Sequence, residues 1–378
     1  MEHKIKFYPV NNADCTLIKL SNGKTIIIDC QFLADLNDDK GKQVMYDVKA
    51  DLLKELNKDS QDHPFVDLFI NTHPHEDHCL GFGDHFYIGS VDEYDHKKDE
   101  NKIIIGELWV TPIIMSNEEC EDAEDIRKEA KRRRKIYKDN ENYIGEYGNF
   151  LRIIGYDKDK EFDKRYSYIP GTVVSSANGG KFEWLDMFIH APFKEDIEDS
   201  KKSKDKNLAS IVIQYSFKIQ GYVSPKCKVI IGGDAEHDVW QHILENNEKE
   251  DNLKWNIFLA PHHCSWTFFN DTDNKDKVLP SAEGILKQQI GNESYIIASS
   301  NEIKLEDEDP PCEQAKKEYI QRLKNSDNFR NTAIDHVVNG IPQPIVFYID
   351  EYGKRKDEKH ETSSGSGILE RPAPRAGK

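Results

Sequence analysis

The sequence predicts an α/β protein in which strands and helices alternate around one core, with a charged, helical insertion. Three observations carry that expectation: apolar runs of strand length recur along the chain, helix-spaced apolar positions fall between several of them, and four of the runs stop abruptly at a His or Asp. The carboxyl ends of strands are where an α/β architecture puts its chemistry.

The chain opens with strands expected at 4–10, 15–20 and 25–29, and Ser21-Asn22-Gly23 supplies a turn, so an antiparallel meander is the natural reading. Val48, Leu52, Leu53 and Leu56 recur at helical spacing and lead into the β-rich run 66–70, which ends at Asn71-Thr72-His73-Pro74. A strand follows at 103–111, and the charged segment 116–139, containing RKEAKRRRKIYK, reads as a helix with few apolar residues. We read 84–165 as mostly insertion. Strands resume at 183–190, 209–217 and 227–234, and the polar stretch KEDIEDSKKSKDKN between the first two is expected to be a mobile loop. A helix from near Ala235, a strand at 256–260, a helix around 280–289, a strand at 295–300, a helix around 313–324 and a strand at 344–350 complete the alternation. Residues 1–362 are expected to form a single domain, and the Ser/Gly/Pro-rich end, 363–378, a flexible tail.

Hydrophobic residues are 37% of the 378 and charged residues 32%, which supports a core under a heavily ionised surface. No apolar stretch is long enough to cross a bilayer, and MEHKIKFYPV lacks a secretory pattern, so no membrane and a cytoplasmic address are expected. Seven scattered cysteines (Cys15, Cys30, Cys79, Cys120, Cys227, Cys264, Cys312) fit reduced thiols better than a disulfide framework. A net charge of −17 repels polyanions, so a nucleic-acid substrate needs a local basic patch or metal ions to approach. Arg127, Lys128, Lys131, Arg132, Arg133, Arg134 and Lys135 are the dense positive run. They could seat phosphates, but a solvated helix paired with the preceding acidic EECEDAED is the plainer reading.

His73, His75, Asp77 and His78 fall within six residues after a strand, so four side chains suited to zinc or another first-row divalent metal converge on one turn. One turn does not complete a site. His190 after MFI, Asp234 after VIIGG, and the pair His262-His263 after FLAP are each the first polar groups beyond an apolar run, and they are the natural further ligands.

In order and type these residues resemble the metallo-β-lactamase superfamily, with its HxHxDH turn, a later His, a bridging Asp after a GD-ending strand and a final His. Within it the pattern looks most like stand-alone relatives of the hydrolase domain of ComEC, the bacterial DNA-uptake channel protein. Counterparts of their motifs are NADCTLI with Asp14, IIIDC with Asp29, NLASIVI with Asn207 and Ser210, IIGGDAE, and APHHCS with Ser265, over roughly residues 4–300.

The resemblance implies a four-layer αββα sandwich. It implies two divalent ions, zinc first, with manganese or iron as alternatives: His73, His75 and His190 hold one, and Asp77, His78 and one of His262/His263 the other, with Asp234 between. His262 is our choice from the pair. Asp77 and Asp234 serve the chemistry, assisted at the rim by His263 or Asn301, and Asp29 supports a ligand imidazole from behind. Asp14 is either such a support or a turn cap, while Glu236 and His237 read as a helix start. Cys79 and Cys264 depart from the pattern, Cys264 standing where a Gly is usual, and read best as buried cysteines without a role. The His-Pro that often follows the Asn at Asn301 is missing. The expected function is a metal-dependent hydrolase acting on phosphodiesters of nucleic acid or nucleotides. The alternatives are hydrolysis of an ester, thioester, lactam or isopeptide, and a metal-stabilised protein of a bacterial accessory or defence system that binds a protein partner through 84–165.

Overall fold

In the computed structural model, strands His3–Phe7, Thr16–Lys19 and Thr25–Ile28 form the expected antiparallel meander. The structure describes residues 1–115, 121–157, 160–270, 272, 275, 277–305 and 309–356. The expected tail and Cys120 lie outside the described residues.

Pro64–Asn71 lies parallel beside Thr25–Ile28, and Ile104–Val110 and Phe150–Ile154 continue the sheet in parallel. On the other side of the meander, Ile345–Asp350 runs antiparallel to His3–Phe7 and is followed outward by Gly353–Lys356. With Ser167–Tyr168 and Asn57–Lys58 this first sheet has ten strands. A second sheet of seven takes Val173–Val174, Leu185–Ala191, Val212–Phe217, Cys227–Ile231, Ile257–Leu259, Tyr295–Ala298 and Phe329–Asn331 in that spatial order. Its first half is antiparallel and its second half parallel, because helices His237–Asn246, Pro280–Leu286 and Glu313–Arg322 carry the crossovers.

Side-chain parity explains the layering. Ile26 and Ile28 face a core shared with Met187, Ile189, Ile213 and Val229 of the second sheet, while Ile27 between them faces the opposite way. That opposite face packs on helices Val48–Glu55, Phe82–His85 and Glu121–Asp139. The far face of the second sheet packs on Trp240, Ile285 and Tyr319 from the three crossover helices. Strands buried on both faces read as unbroken apolar runs, as Thr25–Ile28 and Ile104–Val110 do.

Two expectations are corrected, and a third, the basic helix paired with the acidic residues before it, is met only in part. The stretch 84–165 is not simply an appendage, since it supplies the fully buried strand Ile104–Val110 and the strand Phe150–Ile154 to the first sheet. The polar stretch read as a mobile loop contains a helix, Lys194–Ser203, which buries Ile197 against Ile113 and Ala209. Helix Glu121–Asp139 carries a buried stripe of Ala123, Ile126, Ala130 and Tyr137, and Arg133 sits within it. Arg133 donates to Glu129 and to the carbonyls of Ile105 and Phe150, while Arg132 pairs with Glu129 and Lys128 with Glu124 and Asp125. The basic run is therefore largely committed within its own helix and to the sheet beneath. No helix among the described residues is long and apolar enough to cross a membrane.

Candidate metal centre

The strand Pro64–Asn71 ends beside Thr25–Ile28, and Asp29, just past the latter, organises the turn that follows. Its carboxylate accepts the Thr72 amide at 2.7 Å and the Thr72 hydroxyl at 2.6 Å. It also accepts from His78 Nδ1 at 2.9 Å. A proton fixed on Nδ1 makes Nε2 of His78 the nitrogen that a metal ion could take once its own proton is displaced. Residues 76–78 form a single 3-10 turn, which swings Asp77 and His78 back toward His73 and His75.

Asp234 meets them from the second sheet. It follows Cys227–Ile231 through Gly232 and Gly233, and Gly233 has φ 50°. A Cβ on Gly233 would come within 2.5 Å of Thr72 Oγ1, so glycine is what lets the two turns approach. The neighbouring strand is tied in by the Ile211 amide, which donates to the Thr72 carbonyl.

The third turn follows Ile257–Leu259. His262, His263 and Cys264 have φ of 50°, 52° and 72°, a left-handed run that costs about 1–2 kcal/mol per residue. Cys264 thus occupies a backbone conformation that suits glycine. The run aims consecutive histidines at opposite oxygens of one carboxylate: His262 Nε2 is 3.7 Å from Asp234 Oδ2, and His263 Nε2 is 3.6 Å from Asp234 Oδ1.

Two groups result, sharing Asp234. On one side His73 Nε2 is 3.5 Å from Asp234 Oδ2 and 3.1 Å from His75 Nδ1, with His262 adjacent. On the other, His78 Nε2 is 2.9 Å from Asp234 Oδ1, and His263 Nε2 is 3.1 Å from Asp77 Oδ2. Donor atoms of His73, His75 and Asp234 lie within 4.8 Å of one another, as do those of Asp14, His78, Asp234 and His263. These buried His/Asp groups could hold a metal ion.

The electrostatics fit a cation. Burial opposes charge on His78, but Asp234, Asp29 and Asp77 outweigh it and hold its pKa well above the ordinary value. Burial likewise opposes charge on His263, yet Asp234, Asp14 and Asp77 push it up to about 10. Burial alone would raise the Asp234 carboxyl; His78, His263, His262 and His73 instead keep it well below the usual range. His75, by contrast, is lowered to about 3 by burial and by its neighbour His73. The cluster is thus an anionic knot neutralised by imidazolium protons, which a divalent ion would displace. Imidazole nitrogens and carboxylate oxygens are the donor set that zinc and similar metals take. His78 Nε2 and Asp234 Oδ1 are both buried and face each other at 2.9 Å, an ion pair held by the imidazolium proton that a metal ion would replace.

Of the expected ligands, His73, His75, Asp77, His78, Asp234 and His262 come together; His190 does not. Leu185, Met187 and Ile189 face the core between the sheets, so Phe188 and His190 fall on the other face. There His190 donates Nε2–H to the Asn252 carbonyl at 3.0 Å and lines a separate cavity of about 420 Å³. His262 stands beside His73 and His75 in its place. The choice within the pair also changes: His263, not His262, is next to Asp77 and His78. Asn301 is exposed, its amide bound to Asn12 Oδ1. It lies two residues past Ser299, whose carbonyl faces His263 Nδ1. Asp14, left open by the sequence, approaches His263 Nδ1 at 3.7 Å. Glu236 stands 3.9 Å from His262 Nδ1 and accepts from Asn207. Cys79 donates its thiol to the His75 carbonyl, and burial raises the Cys264 thiol far above its usual range. Neither is among the clustered donors.

No family model matches the chain, and no curated protein matches it.

Proposed function

We propose that this protein is a metal-dependent hydrolase built as a metallo-β-lactamase sandwich, and that it cuts phosphodiester bonds in nucleic acid or nucleotides. The observation that carries the reading is the pair of His/Asp groups sharing Asp234, the donor atoms of each group lying within 4.8 Å of one another. The helix, sheet, sheet, helix layering supports the fold, and the resemblance of the turn motifs supports the substrate class.

In this reading His73, His75, His262 and Asp234 hold one divalent ion, and Asp77, His78, His263 and Asp234 the other. Two such ions supply Lewis acidity toward a substrate oxygen and make water acidic enough to attack at neutral pH. The chain's own work is positional. Asp29 holds the His78 tautomer, and Asp14 with the Ser299 carbonyl does the same for His263. Asp77, 36% exposed, is the carboxylate at the mouth of the cluster that can orient an attacking water. The imidazoles of the cluster and the ions offset a net charge of −17 that would otherwise repel a phosphodiester.

The test is metal content by atomic emission alongside hydrolysis of bis(p-nitrophenyl) phosphate with zinc or manganese. Wild type should hydrolyse it; His78→Ala and Asp234→Asn should lose metal and fall to the rate without protein. Turnover of carboxylic esters or thioesters alone would move the substrate class, and a protein inert toward all of these would overturn the hydrolase reading.

A further inference from the structure

A second histidine pair lies at the other end of the same strand. His63 immediately precedes Pro64–Asn71 and the His73 turn follows it, so eight strand residues separate the two sites by on the order of 25–30 Å. His63 is 2% exposed. Its Nε2 faces Nε2 of His96 at 3.1 Å, and its Nδ1 lies 3.0 Å from Asp59 Oδ2. Asp59 is itself immobilised. The amides of Gln61 and His63 donate to Oδ1, and the Tyr147 hydroxyl donates to Oδ2. Tyr94 packs on both rings, with centroids 4.2 Å from His63 and 5.6 Å from His96.

We propose that His63 and His96 form a separate surface site for a divalent transition metal that prefers imidazole, of the zinc, copper or nickel kind. Three observations carry it. A carboxylate that takes the Nδ1 proton of a histidine presents Nε2 as a lone pair, the arrangement that supports metal-bound histidines. Two nitrogens 3.1 Å apart, each about 2.0–2.1 Å from a zinc ion, subtend about 95–100° at it, which zinc accepts in four- or five-coordinate sites. His96 is exposed, so water can fill the remaining positions. The ion would clasp the turn at Val91–Glu93 and the residues after it to the start of the central strand Pro64–Asn71. The proposal is independent of the hydrolase reading, since it shares no residue with the Asp234 cluster.

Equilibrium dialysis against micromolar zinc, with zinc counted per chain, tests it. Wild type should hold one zinc more than His96→Ala, whose fold by circular dichroism and whose phosphodiester hydrolysis should be unchanged. His63→Gln is the second variant and should lose the same equivalent. With copper(II) as probe, both should lose one electron paramagnetic resonance signal split by two nitrogens. His78→Ala should keep the pair's zinc while losing that of the cluster, which separates failure here from failure of the hydrolase reading. Equal zinc counts in wild type, His96→Ala and His63→Gln would mean that the pair is a hydrogen bond only, and would overturn the proposal.

Discussion

At Asp29 four donors converge on one fully buried carboxylate: Asn71 Nδ2, the Thr72 amide, the Thr72 hydroxyl and His78 Nδ1. Asp29→Asn keeps the shape but puts an amide where acceptors are needed, so the His78 tautomer is no longer dictated. Metal affinity should fall by about 10–100-fold with little loss of fold. Chelator competition measures it, and an unchanged affinity would show that Asp29 shapes the turn without tuning the ligand. At this scale much of the site was legible. His73, His75, Asp77, His78 and Asp234 stand where apolar runs stop, and strand ends are what the apolar pattern marks best. His190 also ends such a run, yet the parity of Leu185, Met187 and Ile189 in LDMFIH turns it to the opposite face, a signal the sequence did contain. Which of His262 and His263 belongs to which group was not legible, because it depends on three left-handed residues in a row that no propensity anticipates.

Among the elements, Lys194–Ser203 is the instructive failure. Its composition is that of a solvated loop, but Glu195 and Asp196 lie in its first turn and Lys201 and Lys202 in its last, as the helix dipole favours. Asp196 accepts the Phe193 amide at 2.7 Å, and Ile197 is its apolar anchor, 1% exposed against Ile113 and Ala209. A single anchor is too little for a periodicity argument, so the helix comes from the tertiary contact rather than from pattern. Ile197→Ala should cost stability at the low end of about 2–5 kcal/mol, because its cluster is small. Lys201→Ala, on the exposed side, should cost under about 0.5 kcal/mol. Urea denaturation distinguishes them, and equal effects would return the segment to the loop the composition suggested. The stripe of Glu121–Asp139 was better marked, since Ala123, Ile126, Ala130 and Tyr137 keep helical spacing. Arg133 hid it by standing in an apolar position, where Glu129 and three backbone carbonyls satisfy it.

For the whole molecule, local pattern named most strands but not their partners. Nothing near 344–350 says that this last long strand returns to lie beside the first, because strand pairing is decided by distant sequence. That closure makes His3–Phe7 an interior strand, and its lysines become structural. Lys4 and Lys6 reach Glu55 at 2.5 and 2.8 Å, and Lys6 reaches Asp51 at 2.7 Å, pinning Val48–Glu55 to the sheet. Burial would raise the Glu55 carboxyl, but Lys4 and Lys6 outweigh it and hold it near a pKa of about 2, against 4.5 ordinarily. A carboxyl depressed on folding stabilises the protein above its unfolded pKa, and that contribution disappears as pH falls through the folded value. The window is therefore pH 4.5 down to about 2. The shift corresponds to at most about 3–4 kcal/mol, which solvent screening of a partly exposed pair reduces to about 1–2 kcal/mol. Other carboxylates titrate in the same range, so the readout is the difference between wild type and Glu55→Gln in urea denaturation. Wild type should be more stable by that amount at pH 7 and the gap should close by pH 2, whereas a gap independent of pH would mean that Glu55 acts through packing and not through its charge.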